Sequence, residues 1–472
     1  MTPRLSEPVS TPRDLPSAWK VCLHAGRQCL VAGRAEEALD HLQAANTLRP
    51  DDSAVLQALG VASLRAGRPD AALAAFDRGL ILDPRDRCAL HGRGLALHAL
   101  RNRPEALAAF RRTVSYHPDA AESWASIADI TPHEDERINA LQYRADALLR
   151  WCDGIDARPR DHADCARALL DAKRASEAIV FISDKAANFH DRAAAHDWLA
   201  SALYESGAYR EALRQKRAAL AAGQPPSPAR PSGFNPDAAV RALRGIIQIL
   251  AAAGIMAFPA AGTLLGICRD GAPLGHDRDV DIGVLGDLQG GPDLARIIRQ
   301  HPDLLLNPRS RPGDRYFALT FKTIAVDIFL YEPGDGGLHC GLGRRAGDVA
   351  WRFTAFGLKD VSYHGQVWTV PDNPERYLAE TYGPDWRTPD TGFASVLSSP
   401  ALFAVNPYVR AYYALSRAHG CLLSGDTAKA RALLRQSPVP VDLPGLADRT
   451  SPTSCATQVQ PGLSTDHQGE GR

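Results

Sequence analysis

The first half of this chain repeats itself every 34 residues, and that interval limits its fold more tightly than any other feature. Ala38, Ala72 and Ala106 stand 34 residues apart, as do Pro50, Pro84 and Pro118. Gly26, Gly60 and Gly94 keep the same spacing, and so do Leu42, Phe76 and Phe110. Small residues at a fixed interval let two helices approach closely, and a proline closes the second helix of each pair. A unit this short cannot bury its apolar face alone, so the units must stack. The interval continues at Ala140-Leu141 and then slips; Ala178-Ile179 and Ala212-Leu213 are again 34 apart. Three clear units are therefore predicted over residues 17–120 and degenerate helical units over 121–222.

The interval and its residue types resemble the tetratricopeptide repeat, which implies an all-α solenoid able to recruit a protein partner. A Pro-rich break over 223–233 (Gln224-Pro225-Pro226-Ser227-Pro228) reads as a linker between domains. The remainder has a different pattern. An amphipathic helix is expected from Ala238 to Ala253, and strand-like runs follow at Val280–Val284, Tyr316–Phe321, Ile324–Tyr331 and Gln366–Val370. The whole is thus predicted to be multidomain, a helical solenoid followed by an α/β (α+β) domain over 234–395. Residues 396–436 read as a helical hairpin with Gly425 in its turn, and 1–16 and 437–472 as disordered ends with little to bury.

The chemistry concentrates in one stretch. Asp277, Asp279 and Asp281 alternate with apolar Val280 and Ile282, so a strand through them would place three carboxylates on one face. Oxygen clusters of this kind suit Mg²⁺ or Mn²⁺ and, through the metal, phosphate-bearing substrates. Upstream, Gly262 and Thr263 lie between an apolar run from Ile255 and a helix-like run. A small-residue turn there would offer backbone N–H groups and a hydroxyl to an anion. Asp327 stands alone in the apolar run Thr323–Leu330, where a carboxylate needs a cation or a proton to receive. Arg269 and Lys322 are the candidate clamps for phosphate, with Arg315 also within reach in sequence, and His276 is a candidate for acid/base chemistry.

These residues resemble the signature of the LicD/fukutin family. Gly262-Thr263-Leu264-Leu265-Gly266-Ile267-Cys268-Arg269 matches its glycine-threonine block, and Asp277 to Asp281 its carboxylate block. Val326-Asp327-Ile328-Phe329 supplies the third element, and Val370-Pro371 through Tyr377-Leu378 to Tyr382-Gly383-Pro384-Asp385-Trp386 the last. The resemblance covers residues 234 to 390. Members usually approach the carboxylates through Ile-Pro-Trp-Asp; here Leu274-Gly275-His276-Asp277 stands instead. The family implies a nucleotidyltransferase-like fold that moves a phospho-alcohol, such as phosphocholine or a pentitol phosphate, from a CDP-linked donor to a glycan or glycolipid. On that pattern Asp277, Asp279, Asp281 and Asp327 would hold the metal, and Asp327 would also receive a proton. Gly262, Thr263, Arg269 and Lys322 would hold the donor diphosphate. Two other readings share these residues: a nucleotidyltransferase releasing pyrophosphate, and a protein-binding scaffold with a degenerate transferase domain.

Composition narrows the field further. Lys+Arg and Asp+Glu both number 54, so no net charge draws the chain to nucleic acid or to anionic membrane. No apolar run reaches the length of a membrane span, and residues 1–5 lack a signal-peptide core. Nine cysteines without C-x-x-C spacing point to reduced thiols and a cytoplasmic setting; His339-Cys340 has no second pair to make a zinc site. With a Pro-rich break between them, the two halves read as separable, the solenoid recruiting acceptor or partner and taking no part in the chemical step.

Overall fold

The computed structural model describes residues 15–223, 235–275, 277–286 and 293–443. The linker region 224–234, His276 and the two ends lie outside the described residues. The repeats fold as antiparallel helix pairs: α1 (Leu15–Val31) with α2 (Ala35–Leu48), α3 (Ser53–Arg65) with α4 (Pro69–Leu82), α5 (Arg87–Ala99) with α6 (Arg103–Tyr116). Three further pairs follow: α7 (Ala121–Ile130) with α8 (Glu134–Cys152), α9 (Pro159–Asp171) with α10 (Ala175–Asp184), and α11 (Arg192–Ser206) with α12 (Tyr209–Ala221).

The periodic glycines explain the pairing. A Cβ on Gly26 would lie 2.6 Å from Leu42, on Gly60 2.5 Å from Phe76, and on Gly94 2.4 Å from Phe110. Each large side chain therefore fills the hollow left by the glycine of the facing helix. Ala38, Ala72 and Ala106 are fully buried at the same contacts. Asp52 and Asp86 start α3 and α5 by accepting hydrogen bonds from N–H groups of their first turns.

The period slips after α8: that helix begins three residues ahead of the repeat yet keeps its register, whereas α9 opens at Pro159, 38 residues after Ala121 instead of 34. The early first turn of α8 carries Glu134, and Arg137 occupies the place of Arg103 one period on. Arg137 is completely buried and leaves the solenoid: Nη1 donates to the Pro308 carbonyl (2.5 Å) and Nη2 to the Ser310 carbonyl (2.6 Å).

The second region begins with α13 (Pro236–Ala252), then β1 (Ala257–Pro259), α14 (Ala261–Asp270), β2 (Asp279–Leu285), α15 (Leu294–Gln300), β3 (Leu304–Leu306), β4 (Tyr316–Phe321) and β5 (Ile324–Gly334). It continues through β6 (Gly337–Gly341), β7 (Ala350–Phe353), β8 (Leu358–Tyr363), β9 (Gln366–Pro371), α16 (Pro374–Tyr382) and α17 (Ser395–Ser398). The main sheet has the order β1-β2-β5-β4-β3, with β6 joined to the end of β5 and β7 to β6. Only β2 and β5 run parallel; the remaining pairs are antiparallel, and β8 and β9 form a separate ribbon. The period of two then sorts the side chains. Val280, Ile282, Val284, Val326 and Ile328 are buried with Leu243, Ile246 and Leu250 of α13, each contributing roughly 2 kcal/mol. That packing leaves the opposite face, with its aspartates, to the cleft.

The chain ends in a hairpin, α18 (Pro407–Leu423) and α19 (Thr427–Arg435), with α18 packed on α12. The halves share a core. Tyr209, Leu213 and Leu220 of α12 share one core with the sheet and with Val409, Ala411 and Leu415 of α18. Tyr204 of α11 meets Tyr209, Tyr412 and Tyr413 at 5.3, 5.2 and 5.9 Å, and its hydroxyl donates to Asp348 (2.5 Å) beyond β6. Among the described residues no helix is long and apolar enough to cross a membrane, and their cysteines are free.

Candidate functional site

The carboxylates meet on the floor of a cleft of about 1670 Å³. Asp279 and Asp281 lie on one face of β2, and Asp281 stands in register with Asp327 on β5. Because the two strands are parallel neighbours, the side chains of this pair emerge side by side. Asp277 departs from expectation. It precedes the strand, in the turn that its N–H closes onto the Leu274 carbonyl (3.0 Å), and its carboxylate reaches the cluster from there.

Gly262 sits in the first turn of α14 and donates its N–H to Asp281 Oδ2 (2.9 Å). A Cβ on it would lie 3.2 Å from Asp281 Oδ2 and 3.4 Å from Asp277 Oδ2. Glycine keeps that space open between the two carboxylates. Beside it, Ala261 takes a left-handed backbone (φ 38°), unusual outside glycine. Its N–H donates to the Tyr377 hydroxyl (3.1 Å), which is 2.7 Å from the Tyr331 hydroxyl in turn. Two tyrosines thus fix the strained turn that aims Gly262 at Asp281.

Like charges and burial leave their mark on these acids. Burial, then Asp279, Asp327 and Asp277, push the Asp281 carboxyl well above its usual range, against the pull of Gly262 N–H. Burial and Asp279 raise Asp327 to about 6, while the hydrogen bond from the Tyr316 hydroxyl (2.9 Å) opposes them. Burial raises Asp279, with Arg417 and Arg278 opposing. Four carboxylates with an open space among them form a hard oxygen donor set that suits Mg²⁺ or Mn²⁺. Among the described residues no three acidic, His or Cys side chains stand as a ready-made metal cage, so the fit lies in charge and room.

Arg269 lines the cleft with its guanidinium largely covered, 3.6 Å from Asp270. Two expected contributors do not face it. Thr263 is fully buried, and its hydroxyl accepts the N–H of Asp281 (2.8 Å), tying α14 to β2 instead of meeting an anion. Lys322 occupies the exposed turn between β4 and β5 (φ 56°), with its ammonium over the Phe321 ring, outside the cleft walls. Arg315 is also absent from those walls. Expected contributor His276 lies outside the described residues. Tyr316 is a site residue that spacing did not single out, although it heads a predicted strand.

The cleft has further walls that no local motif announces. Lys173 in the turn between α9 and α10, and Tyr204 and Glu205 of α11, come from the solenoid. Arg417 of α18 and Lys429 of α19 come from the terminal hairpin. The expectation that the solenoid stands apart from the site is corrected: it forms one side of it.

The tetratricopeptide repeat family matches residues 30–92. Those residues are tetratricopeptide repeats. No curated protein matches the chain. Similar solved structures include the first tetratricopeptide domain of Spaghetti (RPAP3) bound to an HSP90 peptide, at 20% identity and TM-score 0.23, covering 24% of this chain and 88% of that one. A tetratricopeptide repeat protein from Parabacteroides merdae shares 17% identity at TM-score 0.30, covering 45% and 81%. A mutant O-GlcNAc transferase from Thermobaculum terrenum shares 16% at TM-score 0.26, covering 32% and 30%. The chain is thus a helical tetratricopeptide-like solenoid followed by a region built on a mixed sheet.

Proposed function

We propose that the sheet region is a LicD/fukutin-like transferase of nucleotidyltransferase-like fold, moving a phospho-alcohol from a CDP-linked donor to a glycan hydroxyl. The observation that carries this reading is the registered pair Asp281–Asp327 on parallel strands, with Gly262 N–H on Asp281. The acceptor oxygen bonds to the phosphorus bearing the alcohol. The bond from that phosphorus to the bridging oxygen breaks, and CMP leaves with the electron pair. The hydroxyl proton passes to Asp327, which stands in register with Asp281 on the cleft floor. Mg²⁺ or Mn²⁺, held by Asp279 and Asp281 with Asp277 and Asp327 beside them, would supply charge neutralisation at the phosphoryl group. Arg269 would hold the donor diphosphate. A panel of CDP-alcohols offered to the whole chain with Mg²⁺ or Mn²⁺ tests this by CMP release. Release of pyrophosphate from CTP instead would mark a nucleotidyltransferase using the same acids.

A second reading has its own support. The tetratricopeptide repeats favour a protein-binding role for the solenoid, with the sheet region as passenger. The related RPAP3 domain was solved with a peptide bound. A chain that binds a protein partner yet releases neither CMP nor pyrophosphate would establish that reading.

A further inference from the structure

The cleft is acidic at its floor, and most cations on its walls are already neutralised. Arg309 pairs with Asp171 (2.9 Å), Arg344 with Glu332 (2.7 Å) and Arg345 with Glu205 (3.0 Å). Lys173, Arg417 and Lys429 differ: all three line the cleft, and none has a carboxylate within 4.0 Å among the described residues, but only Arg417 and Lys429 stand together on one hairpin. Arg417 is exposed on α18, while its helix neighbours Ala414, Leu415 and Ala418 are buried and hold the helix in place. α18 is in turn seated on α12 of the solenoid. Arg417 and Lys429 line the same cleft as Asp279 and Asp281 and pair with neither. Cations carried by a packed hairpin on one side of a cleft whose floor is acidic leave room between for a group attractive to both a cation and a metal. Phosphate is such a group.

We propose that Arg417, delivered by the C-terminal hairpin and backed by Lys429, binds the substrate phosphate held over Asp279 and Asp281. This rests on the reading above, that the substrate is a phosphate-bearing nucleotide. It adds a binding residue far outside the segment that resembles the transferase family, and it makes the solenoid-seated hairpin part of the site.

The test uses the full chain and titration calorimetry with CDP, CMP and inorganic pyrophosphate in Mg²⁺, at low and high salt. Arg417→Ala should weaken CDP and pyrophosphate at least tenfold, weaken CMP less, and flatten the salt dependence. Arg417→Lys should recover part of the loss, and Lys429→Ala should show a smaller one. The Arg417→Ala melt should match the parent, because that side chain is exposed; Arg417→Gln serves if alanine perturbs the helix. Wild-type binding of CDP that Arg417→Ala leaves unchanged overturns the assignment alone. A wild-type chain that binds neither CDP nor pyrophosphate overturns the nucleotide reading and the assignment with it.

Discussion

Acidic residues meet opposite fates in the two regions. In the solenoid each strongly perturbed glutamate has an arginine. Arg111 grips Glu136 with two bonds of 2.6 and 2.7 Å and holds its carboxyl below the ordinary range. Burial works against Glu134, yet Arg137 and then Arg299 hold it down as well. On the cleft floor the neighbours of each aspartate include other aspartates, and Asp279, Asp281 and Asp327 are all raised. The difference separates acids paired with arginines from acids crowded against one another. Paired charges predominate where the repeats grip one another and the sheet region, Asp129 being a buried exception, whereas on the cleft floor carboxylates face carboxylates.

The hardest test of this contrast removes the uncompensated charges. Asp279→Asn with Asp281→Asn should cut CMP release more than about a hundredfold, since each lost metal contact costs several kcal/mol in the transition state. Circular dichroism should show the fold intact, and activity above about a tenth of wild type would refute the site.

Removing a compensated charge should do the reverse. Arg137→Met removes one donor each from Glu134 and the carbonyls of Pro308 and Ser310, which keep Arg299 and Arg311, and leaves a poorly filled site, a loss of about 1–3 kcal/mol. Calorimetry should show the melt shifted down by that amount, with Arg309, Arg311 and Tyr204 still tying the solenoid to the sheet region. A melt shifted by less than about 1 kcal/mol would mean that the buried arginine is not the staple.

Acidity reads the same contrast. A carboxyl raised in the folded state binds more protons there than in the unfolded chain, so stability rises as pH falls through the raised value. With chelator present, the melting temperature should climb between pH 7 and 5, with Asp327, near 6, contributing about 1–1.5 kcal/mol over that range and the other raised acids adding to it. Asp327→Asn should flatten that climb. The arginine-paired Glu122, Glu134 and Glu136 of the solenoid act oppositely, losing stability only below about pH 4.5, while Asp129, raised by burial, follows the cleft acids. A melt that falls steadily from pH 7 would show the cleft acids to be compensated after all.

The last test checks the repeat contacts. Ala72→Phe should overpack α3 against α4 by roughly 1–3 kcal/mol, because Ala72 is fully buried there. An unchanged thermal melt would place Ala72 outside that contact.

The repeat was legible because its signal is redundant. Alanine, glycine, proline and aromatic residues all keep one interval, and each has a contact that requires it. The strands were legible from alternation, and so was the shared face of Asp279 and Asp281. Alternation does not say where a strand begins, however, so Asp277 was placed on β2 when Gly275 already belongs to a turn. Residue type does not say where a polar atom points. Thr263 turned inward to β2, and Lys322 was carried away by the hairpin turn. Tyr204 and Arg417 lie 75 and 138 residues from Asp279. Only packing on α12 brings them to it, and no local spacing encodes that.

The shared core around α12 also orders events in time. The cleft draws one wall from residues 173–205, its floor from 262–327 and its far side from 417–429. During synthesis the repeats can stack as they emerge, and the sheet can assemble next. The pocket itself cannot close until α18 has left the ribosome and docked on a helix made some two hundred residues earlier. A chain cut short before Pro407 would carry every carboxylate of the motif and still lack a finished site.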